Sequence, residues 1–300
     1  MPEVRLHMEL TVISTFAGCG GSSLGYKWAG FKELLAIDNN ANACQTFALN
    51  FPGVKVWNRD IREVKGAEIL DACGLKAGQL DVLDGSPPCQ GFSTAGKRQV
   101  NDSRNDLSYE FARLIDELQP RAFVMENVSG LVKGKMRGAF KAITVRLKSG
   151  GYRVNCRLLN AMYYGVPQSR ERLIWIGLRA DVPGVYEWPE KREALGLREA
   201  LGLRQGWGAR PDGVRNKMHF NKHRDPDAPC VTLCKTRPPI LRFGNTEREM
   251  TLAECATIAS FPSDFQWSGN AKQDYERIGN AVMPKMMQAI AGQLAKVLRA

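Results

Sequence analysis

Short apolar runs rich in β-branched residues alternate with amphipathic stretches through the first part of the chain. The runs are typical of buried strands, and apolar positions three or four residues apart are typical of helices. The predicted strands are Thr11 to Phe16, Leu34 to Ile37, Val54 to Trp57, Asp81 to Leu83, Ala122 to Met125 and Arg172 to Leu178. The predicted helices are Ser22 to Ala29, Ala41 to Leu49, Leu107 to Leu118 and Arg137 to Leu147. This alternation predicts an α/β fold with a doubly wound, mostly parallel sheet that binds ligands at the carboxyl ends of its strands.

The pattern changes after Leu178, where prolines, glycines and arginines interrupt any long helix or regular succession of strands. A separate, loop-rich lobe is predicted there. Within it, the hexamer REALGL occurs twice between Arg192 and Leu203 and predicts one helical segment with glycine breaks. Helices are predicted again at Arg248 to Ala259 and Lys285 to Leu298. The predicted larger domain spans 1–180 plus 273–300, and the smaller domain spans 181–272.

Composition agrees with a globular protein: 44% of the 300 residues are hydrophobic and the mean hydropathy is -0.30. The segment from Met1 to Ser14 carries charged residues and lacks the apolar run of a signal peptide, and no later run is long enough to span a bilayer. A soluble intracellular protein is predicted.

Eight cysteines are scattered along the chain without the density of a disulfide scaffold. Reduced thiols are expected, and one of them is a candidate for catalysis. Lys and Arg exceed Asp and Glu by 42 to 31, which gives a formal charge of +11. The 45 residues from Arg198 to Arg242 include ten basic and four acidic residues, so this segment carries +6 of the formal charge. This excess would attract a polyanion such as nucleic acid, although a solvated basic face has the same composition.

The stretch TVISTFAGCGGSSLG, residues 11–25, has the pattern of a strand, a glycine turn and a helix start. Glycines at 18, 20 and 21 allow a ligand to approach the backbone, and a helix N-terminus offers free N–H groups. A tight turn without a ligand would look similar. However, Asp38 ends the next strand and Asp60 follows the third, where nucleotide-binding sheets place acids for ribose hydroxyls. The three strand ends together predict a cofactor that contains a nucleoside.

The fourth strand leads into DGSPPCQGFS, residues 84–93. Pro87 and Pro88 have no N–H to lend to a ladder, so the chain leaves the strand stiffly and presents Cys89 at the carboxyl edge of the sheet. A thiol at such a place is a candidate nucleophile, provided that its pKa is lowered or a proton acceptor is near. The sequence does not reveal the acceptor.

Two further groups of residues point to the same edge. Glu126 ends the strand RAFVMENV and is either an acid or base facing Cys89 or a cap for the next turn. In GVPQSRER, a period of two places Gln168, Arg170 and Arg172 on one face. Two arginines and an amide form a good clamp for phosphate or for the polar edge of a base, the alternative being exposed surface arginines.

These motifs, in this order, resemble those of the cytosine-C5 DNA methyltransferases of the bacterial or phage type. The matching segments are FAGCGG (16–21), Asp38 with NFP (50–52), DI (60–61), PPCQGFS (87–93), DSRNDL (102–107), ENV (126–128), GVPQSRER (165–172), REMTLAE with FP (248–254, 261–262) and RIGNAVMP (277–284). Residues 179–247 match no motif. The resemblance implies a Rossmann-like class I fold that uses S-adenosylmethionine.

The resemblance also implies a role for each site residue. The cofactor would be held by Phe16, Gly18, Gly20, Gly21, Asp38, Asn39, Asp60, Ile61, Pro88, Asn280 and Val282. Cys89 would attack C6 of cytosine, Glu126 would bind the base near N3, and Arg172 would bind its O2 edge. Gln168 and Arg170 would support the site. Because a stacked base is out of reach, the cytosine must be flipped out of the duplex. The implied partner is double-stranded DNA, bound by a monomer with a possible companion restriction endonuclease.

Two positions depart from the family. Ser14-Thr15-Phe16 stands where the family usually has Asp-Leu-Phe, and Asp38 stands where Glu is commoner. The missing acid at 14 is expected to loosen the binding of the methionine end of the cofactor. Neither change removes a group that methyl transfer needs.

Three alternatives remain open at this point. A tRNA methyltransferase shares the catalytic motifs but carries a Cys-Phe-Thr signature, whereas this chain has CVTLCKT at 230–236. Against a catalytically inactive DNA-binding or regulatory relative stand the intact Cys89, Glu126, Arg172 and cofactor glycines. A nicotinamide oxidoreductase, suggested by the glycine turn alone, leaves PPCQGFS and GVPQSRER unexplained. His219, His223, Cys230 and Cys234 have a spacing that is unusual for zinc, so no metal is expected.

Overall fold

The computed structural model describes residues 9–88, 106–204, 207–210, 227–243 and 245–300. Its main sheet contains strands β1 (Leu10–Thr15), β2 (Phe31–Asp38), β3 (Lys55–Asn58), β4 (Val82–Gly85), β5 (Ala122–Val128), β6 (Tyr152–Asn160) and β7 (Glu171–Arg179). Their order is β3-β2-β1-β4-β5-β7-β6. The first five are parallel, whereas β7 runs antiparallel to both β5 and β6. The predicted doubly wound, mostly parallel sheet is confirmed.

Helices cover both faces of this sheet. They are α1 (Gly21–Trp28), α2 (Ala41–Asn50), α3 (Gly66–Cys73), α4 (Asp106–Leu118), α5 (Arg137–Ser149), α6 (Leu197–Leu201), α7 (Leu252–Ile258), α8 (Ala271–Asn280) and α9 (Pro284–Arg299). Neighbouring residues of a strand point to opposite faces, so β1 sends Val12 into a core with α1, α2 and α9 and Ile13 into a second core with α3, α4 and α5. Within the described ranges, no helix has the length and apolar character needed to cross a membrane.

The second lobe is more regular than its composition suggests. Strands β8 (Trp207–Arg210), β9 (Ile240–Phe243) and β10 (Thr246–Glu249) form an antiparallel sheet in the order β10-β9-β8. The predicted helix from Arg248 to Ala259 is therefore wrong at its start. Its first two residues pair with β9, and the helix begins only after Thr251, whose hydroxyl accepts from the Glu254 N–H. The Glu254 carboxylate accepts in return from the Thr251 N–H, which completes a capping box.

The repeated hexamer forms less helix than predicted, because only the second copy is helical and Gly202 ends it at φ +60°. Strand β6 escaped prediction. Its polar residues Arg153, Asn155 and Arg157 alternate with half-buried ones, as expected of a strand at the edge of a sheet. Helices α3 and α8 were also missed, although Asn270 and Gln273 form a capping box at the start of α8.

Helix α1 packs unusually closely against α9. A Cβ atom at Gly25 would lie 2.6 Å from both the Met287 Cβ and the Pro284 carbonyl oxygen. Such distances exclude any side chain at this position. The closeness fixes α1, and with it the turn that precedes α1, against the C-terminal segment of the chain.

Candidate active site

The glycine turn follows directly from the end of β1. The backbone enters the left-handed region at Phe16 (φ +53°), Gly18 (φ +56°) and Gly20 (φ +94°). The Ala17 N–H donates to the Ile37 carbonyl at 3.1 Å, so the turn is joined to β2. A Cβ at Gly18 would meet nothing within 4 Å. The turn is thus open at Gly18, and the glycine there is required by its backbone conformation.

The other two glycines of the turn are required by packing within the protein. A Cβ at Gly20 would lie 2.4 Å from the Phe51 ring, and one at Gly21 would lie 2.3 Å from the Val282 carbonyl oxygen. Protein atoms thus fill the space where side chains at positions 20 and 21 would lie, and the approach of a ligand to the main chain at these glycines stays a prediction. Gly20 and Gly21 can offer main-chain N–H groups to a ligand, because α1 begins at Gly21 and its N-cap residue Gly20 has no side chain to cap them.

Asp38 lies at the end of β2 and joins the two loops beside it. One carboxylate oxygen accepts from the Gly18 N–H and the other from the Asn40 N–H, both at 2.8 Å. Burial raises the pKa of the Asp38 carboxyl, and these main-chain donors and the Arg277 guanidinium oppose the rise. The exposed residue Asn39 follows on the same loop. The structure thus brings Asp38 to the open side of the glycine turn.

Asp60 and Ile61 follow β3. The Asp60 carboxylate accepts from the Arg62 N–H at 3.0 Å and from its guanidinium, which lowers the pKa of Asp60. The Asp60 side chain remains partly exposed, whereas Ile61 is buried in the core between the sheet and α3. At this strand end, then, Asp60 supplies a partly exposed acid, and the Ile61 side chain faces the protein interior.

The C-terminal segment closes the other side of the turn. Val282 contacts Gly21 through its carbonyl, as described above, and the exposed residue Asn280 ends α8. Arg277 joins this segment to the Asp38 loop, because its guanidinium donates to the Asn40 side chain at 3.1 Å. Sequence reasoning missed Arg277, and only its place three residues before Asn280 in the motif RIGNAVMP could have indicated it.

The segment that leads to the predicted nucleophile begins at β4. Pro87 is buried, and its carbonyl accepts from the Asn127 side chain at 3.2 Å, which links the ends of β4 and β5. Pro88 is the last described residue of this segment, and Cys89 lies outside the described residues. Among the described cysteines, the free thiols include Cys19, Cys44, Cys73, Cys156, Cys234 and Cys255.

Glu126 and Arg172 form an ion pair at the carboxyl end of β5. The Arg172 Nε lies 2.6 Å from a Glu126 oxygen, and their side chains are 14% and 11% exposed. Burial raises the pKa of the Glu126 carboxyl, although the nearby charges of Arg172 and Arg170 oppose it. An almost desolvated carboxyl can share a proton with a bound polar ring. The guanidinium fixed beside it can donate a hydrogen bond to a carbonyl group of that ring.

Gln168 and Arg170 are buried supports. The Arg170 guanidinium, in a residue only 2% exposed, donates to the carbonyls of Leu233, Gly279 and Ala281 at 3.1, 2.8 and 3.3 Å. The Gln168 side chain accepts from the Leu233 N–H at 3.1 Å. The Arg170 guanidinium thus binds main-chain carbonyls and is neither an exposed surface arginine nor placed as a clamp for a ligand. Of the two arginines, Arg172 is the one that pairs with Glu126.

These residues arrange the site along one edge of the sheet. Because β4 lies between β1 and β5, the Pro87–Pro88 segment emerges between the glycine turn and the Glu126–Arg172 pair. A polar ligand in the turn and a polar ring at the ion pair would meet next to that segment. This arrangement suits the transfer of a group from one bound molecule to another. Among the described residues, no three His, Cys, Asp or Glu side chains form a cluster that could hold a metal ion.

Comparison with known sequences gives one consistent family. The family model for C-5 cytosine-specific DNA methylases matches residues 10–198 and 213–296. The Type II methyltransferase M1.HphI of Haemophilus parahaemolyticus is 31% identical over 97% of this chain and 88% of its own. The Type II methyltransferase M.NgoMIV of Neisseria gonorrhoeae is 31% identical over 97% of this chain and 99% of its own.

Solved structures share the fold. A prophage-encoded protein of E. coli, assigned as a DNA modification methyltransferase, superposes with a TM-score of 0.78 at 25% identity and covers 97% of this chain and 100% of its own. Dnmt2 methyltransferase of S. pombe superposes with a TM-score of 0.73 at 20% identity over 96% of this chain and 98% of its own. At that identity, the second likeness concerns the fold alone.

Proposed function

Because the chain belongs to the C-5 cytosine-specific DNA methylase family and is a DNA (cytosine-5-)-methyltransferase, we propose that it acts by covalent catalysis through Cys89 on a cytosine flipped out of duplex DNA. The observation that supports this most directly is the buried Glu126–Arg172 pair beside the segment that leads to Cys89. A cytosine presents an acceptor at N3 and another at O2 on one edge. A protonated carboxyl and a guanidinium match that edge.

Cys89 supplies the nucleophile. Its thiolate forms a bond to C6 of the cytosine, which turns the C5–C6 double bond into an enamine with a nucleophilic C5. S-adenosylmethionine, when bound, would supply the methyl group from its sulfonium to C5 and would leave as S-adenosylhomocysteine. Loss of the C5 proton to a base then expels the Cys89 thiolate from C6 and restores the double bond. The enzyme ends the cycle with its free thiol.

Glu126 and Arg172 stabilise the charge that this addition places on the ring. The raised pKa of Glu126 allows its carboxyl to hold a proton for N3 nearer to neutral pH than an exposed carboxyl would. Arg172 holds that carboxyl in place and donates toward O2. Because both side chains are already fixed before a base arrives, little reorganisation is needed when charge develops.

S-adenosylmethionine fits the turn after β1. The space at Gly18, the uncapped start of α1 and the Asp38 carboxylate lie together there. Phe16, Asn39 and Asn280 are proposed to complete this site. Main-chain N–H groups suit the carboxylate of the methionine end, and Asp38 and Asp60 suit the ribose hydroxyls. Pro88, Ile61 and Val282 would line the remainder through backbone and apolar contacts.

We expect Asp38→Ala to weaken the binding of S-adenosylhomocysteine by roughly 1 to 3 kcal/mol, because the turn loses a carboxylate that two main-chain donors orient. Asp60→Ala should have a smaller effect, because its carboxylate is exposed and shared with Arg62. Isothermal calorimetry measures both. The control is Asp71→Ala on α3, an exposed acid. Unchanged affinity in both site variants would place the cofactor elsewhere.

The lobe 181–272 is proposed to read the DNA target. Its segment from Arg198 to Arg242 carries +6 of the formal charge of +11, and residues 179–247 match no catalytic motif. Arg237 and Arg242 remain the first candidates for contact with bases or phosphates. Arg242 lies on β9 with its Nε 3.9 Å from the Glu247 carboxylate, and the Arg237 carbonyl accepts from the Tyr275 hydroxyl, which holds this segment against α8.

We expect Arg237→Ala and Arg242→Ala to weaken DNA binding. Loss of a phosphate contact should reduce affinity for all sequences and flatten the salt dependence, whereas loss of a guanine contact should relax specificity at one position. Genome-wide methylation maps and salt titrations of DNA affinity separate the two. Arg299→Ala is the matched control, because Arg299 lies beside Gly30 at the opposite edge of the sheet. If neither variant changes target choice or affinity, these residues are not readers.

Bisulfite sequencing of plasmid DNA from cells that express the protein tests the function. Methylated cytosines at one recurring sequence are expected. Methyl incorporation into tRNA but not into duplex DNA would contradict the proposal.

We also propose that the enzyme works as a monomer in the bacterial or phage-infected cytoplasm, and that it protects DNA from a companion restriction endonuclease, in line with the Type II naming of its relatives. Digestion of the modified plasmid with nucleases of the mapped specificity tests the last point.

A further inference from the structure

Two carboxyl groups are buried beneath the first turn of α1, one on each side of β1. Asp84 on β4 accepts from the Ser22 hydroxyl at 2.6 Å and from the Tyr26 hydroxyl at 3.3 Å, and both donors belong to α1. On the other side, Glu33 belongs to β2, where it pairs with Val12 of β1. The catalytic scheme above uses neither carboxyl.

The Glu33 carboxyl lies beside the hydroxyls of Ser14 and Ser23. These two hydroxyls are bonded to each other at 3.2 Å and join β1 to α1. Both Glu33 oxygens are buried, and neither has a well-formed hydrogen bond to any described residue. Burial disfavours the anionic form of such a carboxyl, and in the neutral form its O–H can donate a hydrogen bond to a hydroxyl.

We propose that Glu33 is a positioning residue of the cofactor turn: its carboxyl joins the Ser14–Ser23 pair and so holds the first turn of α1 against β1. This inference rests on the proposed cofactor role of the turn. Residues 16–21 connect the two elements that the pair joins, and α1 begins at Gly21. A shift of α1 away from β1 would therefore move the main-chain donors that are expected to face the cofactor.

The proposal also accounts for a departure seen in the sequence. The family that the chain resembles usually has an acid at the position of Ser14, and here the neighbouring strand supplies one. Glu33 brings its carboxyl to the same Ser23 hydroxyl that faces position 14. The acid is thus relocated from β1 to β2, and the expected loosening of the cofactor site is offset.

Protonation gives the role a measurable signature. Burial raises the pKa of Glu33 to about 8 and that of Asp84 to about 7. The other titratable groups that face this pair are Tyr26 on α1 and Glu126 on β5, and Tyr26 in turn faces Tyr186, which follows β7. Since the assembled turn favours the neutral acid, cofactor affinity should be full below the pKa of Glu33 and should fall as the pH rises through it.

The test is calorimetric binding of S-adenosylhomocysteine to the full-length protein between about pH 6.5 and pH 9.5. For the wild type, the dissociation constant should rise above the pKa of Glu33, approaching about tenfold per pH unit. Glu33→Gln, nearly the same shape but unable to ionise, should lose this rise. Ionisation of Asp84 affects the lower-pH part of the binding profile in both the wild type and Glu33→Gln. The difference between the two profiles therefore reports the ionisation of Glu33. Lys32→Ala, an exposed neighbour on β2, should follow the wild type.

A second pair of variants separates positioning from general stability. Glu33→Ala should weaken cofactor binding at every pH, and Ser14→Asp added to Glu33→Ala should restore it by returning an acid to β1. Parallel profiles for wild type and Glu33→Gln would overturn the proposal, as would a Glu33→Ala protein that melts earlier but binds normally. If the wild type does not bind S-adenosylhomocysteine at all, the proposed cofactor site fails first.

Discussion

Cys89→Ser is expected to reduce single-turnover methyl transfer by more than about 1,000-fold while S-adenosylhomocysteine still binds as in the wild type. A serine hydroxyl is hardly ionised near neutral pH and cannot add to C6 as a thiolate does. The cofactor turn and the Glu126–Arg172 pair belong to other strands, so they should stay assembled. Rapid-quench measurements with tritiated S-adenosylmethionine give the rate, and calorimetry gives the affinity.

Duplex DNA that contains 5-fluorocytosine at the mapped target provides the companion measurement. Fluorine at C5 does not leave as a proton does, so the C6–sulfur bond formed by Cys89 should persist and trap the protein on the DNA. Cys234→Ser, in which an exposed free thiol is replaced, should trap like the wild type. A fully active Cys89→Ser protein, or the absence of a trapped complex at a verified target, would refute the covalent mechanism.

Arg170→Met is expected to lower the free energy of unfolding by roughly 3 to 5 kcal/mol, since each buried carbonyl left without a donor costs about 1 to 3 kcal/mol. Its guanidinium serves the carbonyls of Leu233, Gly279 and Ala281, which belong to two segments distant from β7 in sequence. The carbonyls at 279 and 281 flank Asn280. Cofactor affinity should therefore fall together with stability, which urea denaturation and calorimetry measure.

The matched control is Arg146→Met on α5. Arg146 pairs with the carboxylate of Asp116, and both side chains are about a third exposed, so the loss of this pair should cost about 1 kcal/mol or less. Arg170→Lys keeps the charge but not the forked geometry and should recover only part of the stability. Equal denaturation midpoints for Arg170→Met and Arg146→Met would show that the buried guanidinium does not join these segments.

The strand ends that carry Asp38 and Glu126 were predictable because each follows a short apolar run, and such runs end at the edge where ligands bind. The same reasoning failed for Arg170. A period of two groups it with Arg172, but residues 168 and 170 precede β7 and are covered by the main chain around Leu233. Nothing local in the sequence announces a partner more than 60 residues away.

The order and direction of the strands were also only partly predictable from the sequence. Alternating strands and helices predicted the parallel part of the sheet, but β6 and β7 form an antiparallel hairpin, and the exposed arginines of β6 hide its strand character. The buried acids Glu33 and Asp84 were likewise unpredictable, because their burial depends on α1 crossing three strands. Propensity describes a residue and its neighbours, whereas these features depend on which elements pack together.

The close contacts of α1 have a consequence for how the protein is made. Gly21 and Gly25 belong to the first helix, yet their packing partners are Val282, Pro284 and Met287, which the ribosome delivers some 260 residues later. Until then, the apolar face of α1 has no cover from α9, and contacts between such distant positions form slowly. The nascent chain must therefore keep its first helix soluble through most of synthesis, and the cofactor turn acquires its final shape only when α9 has docked.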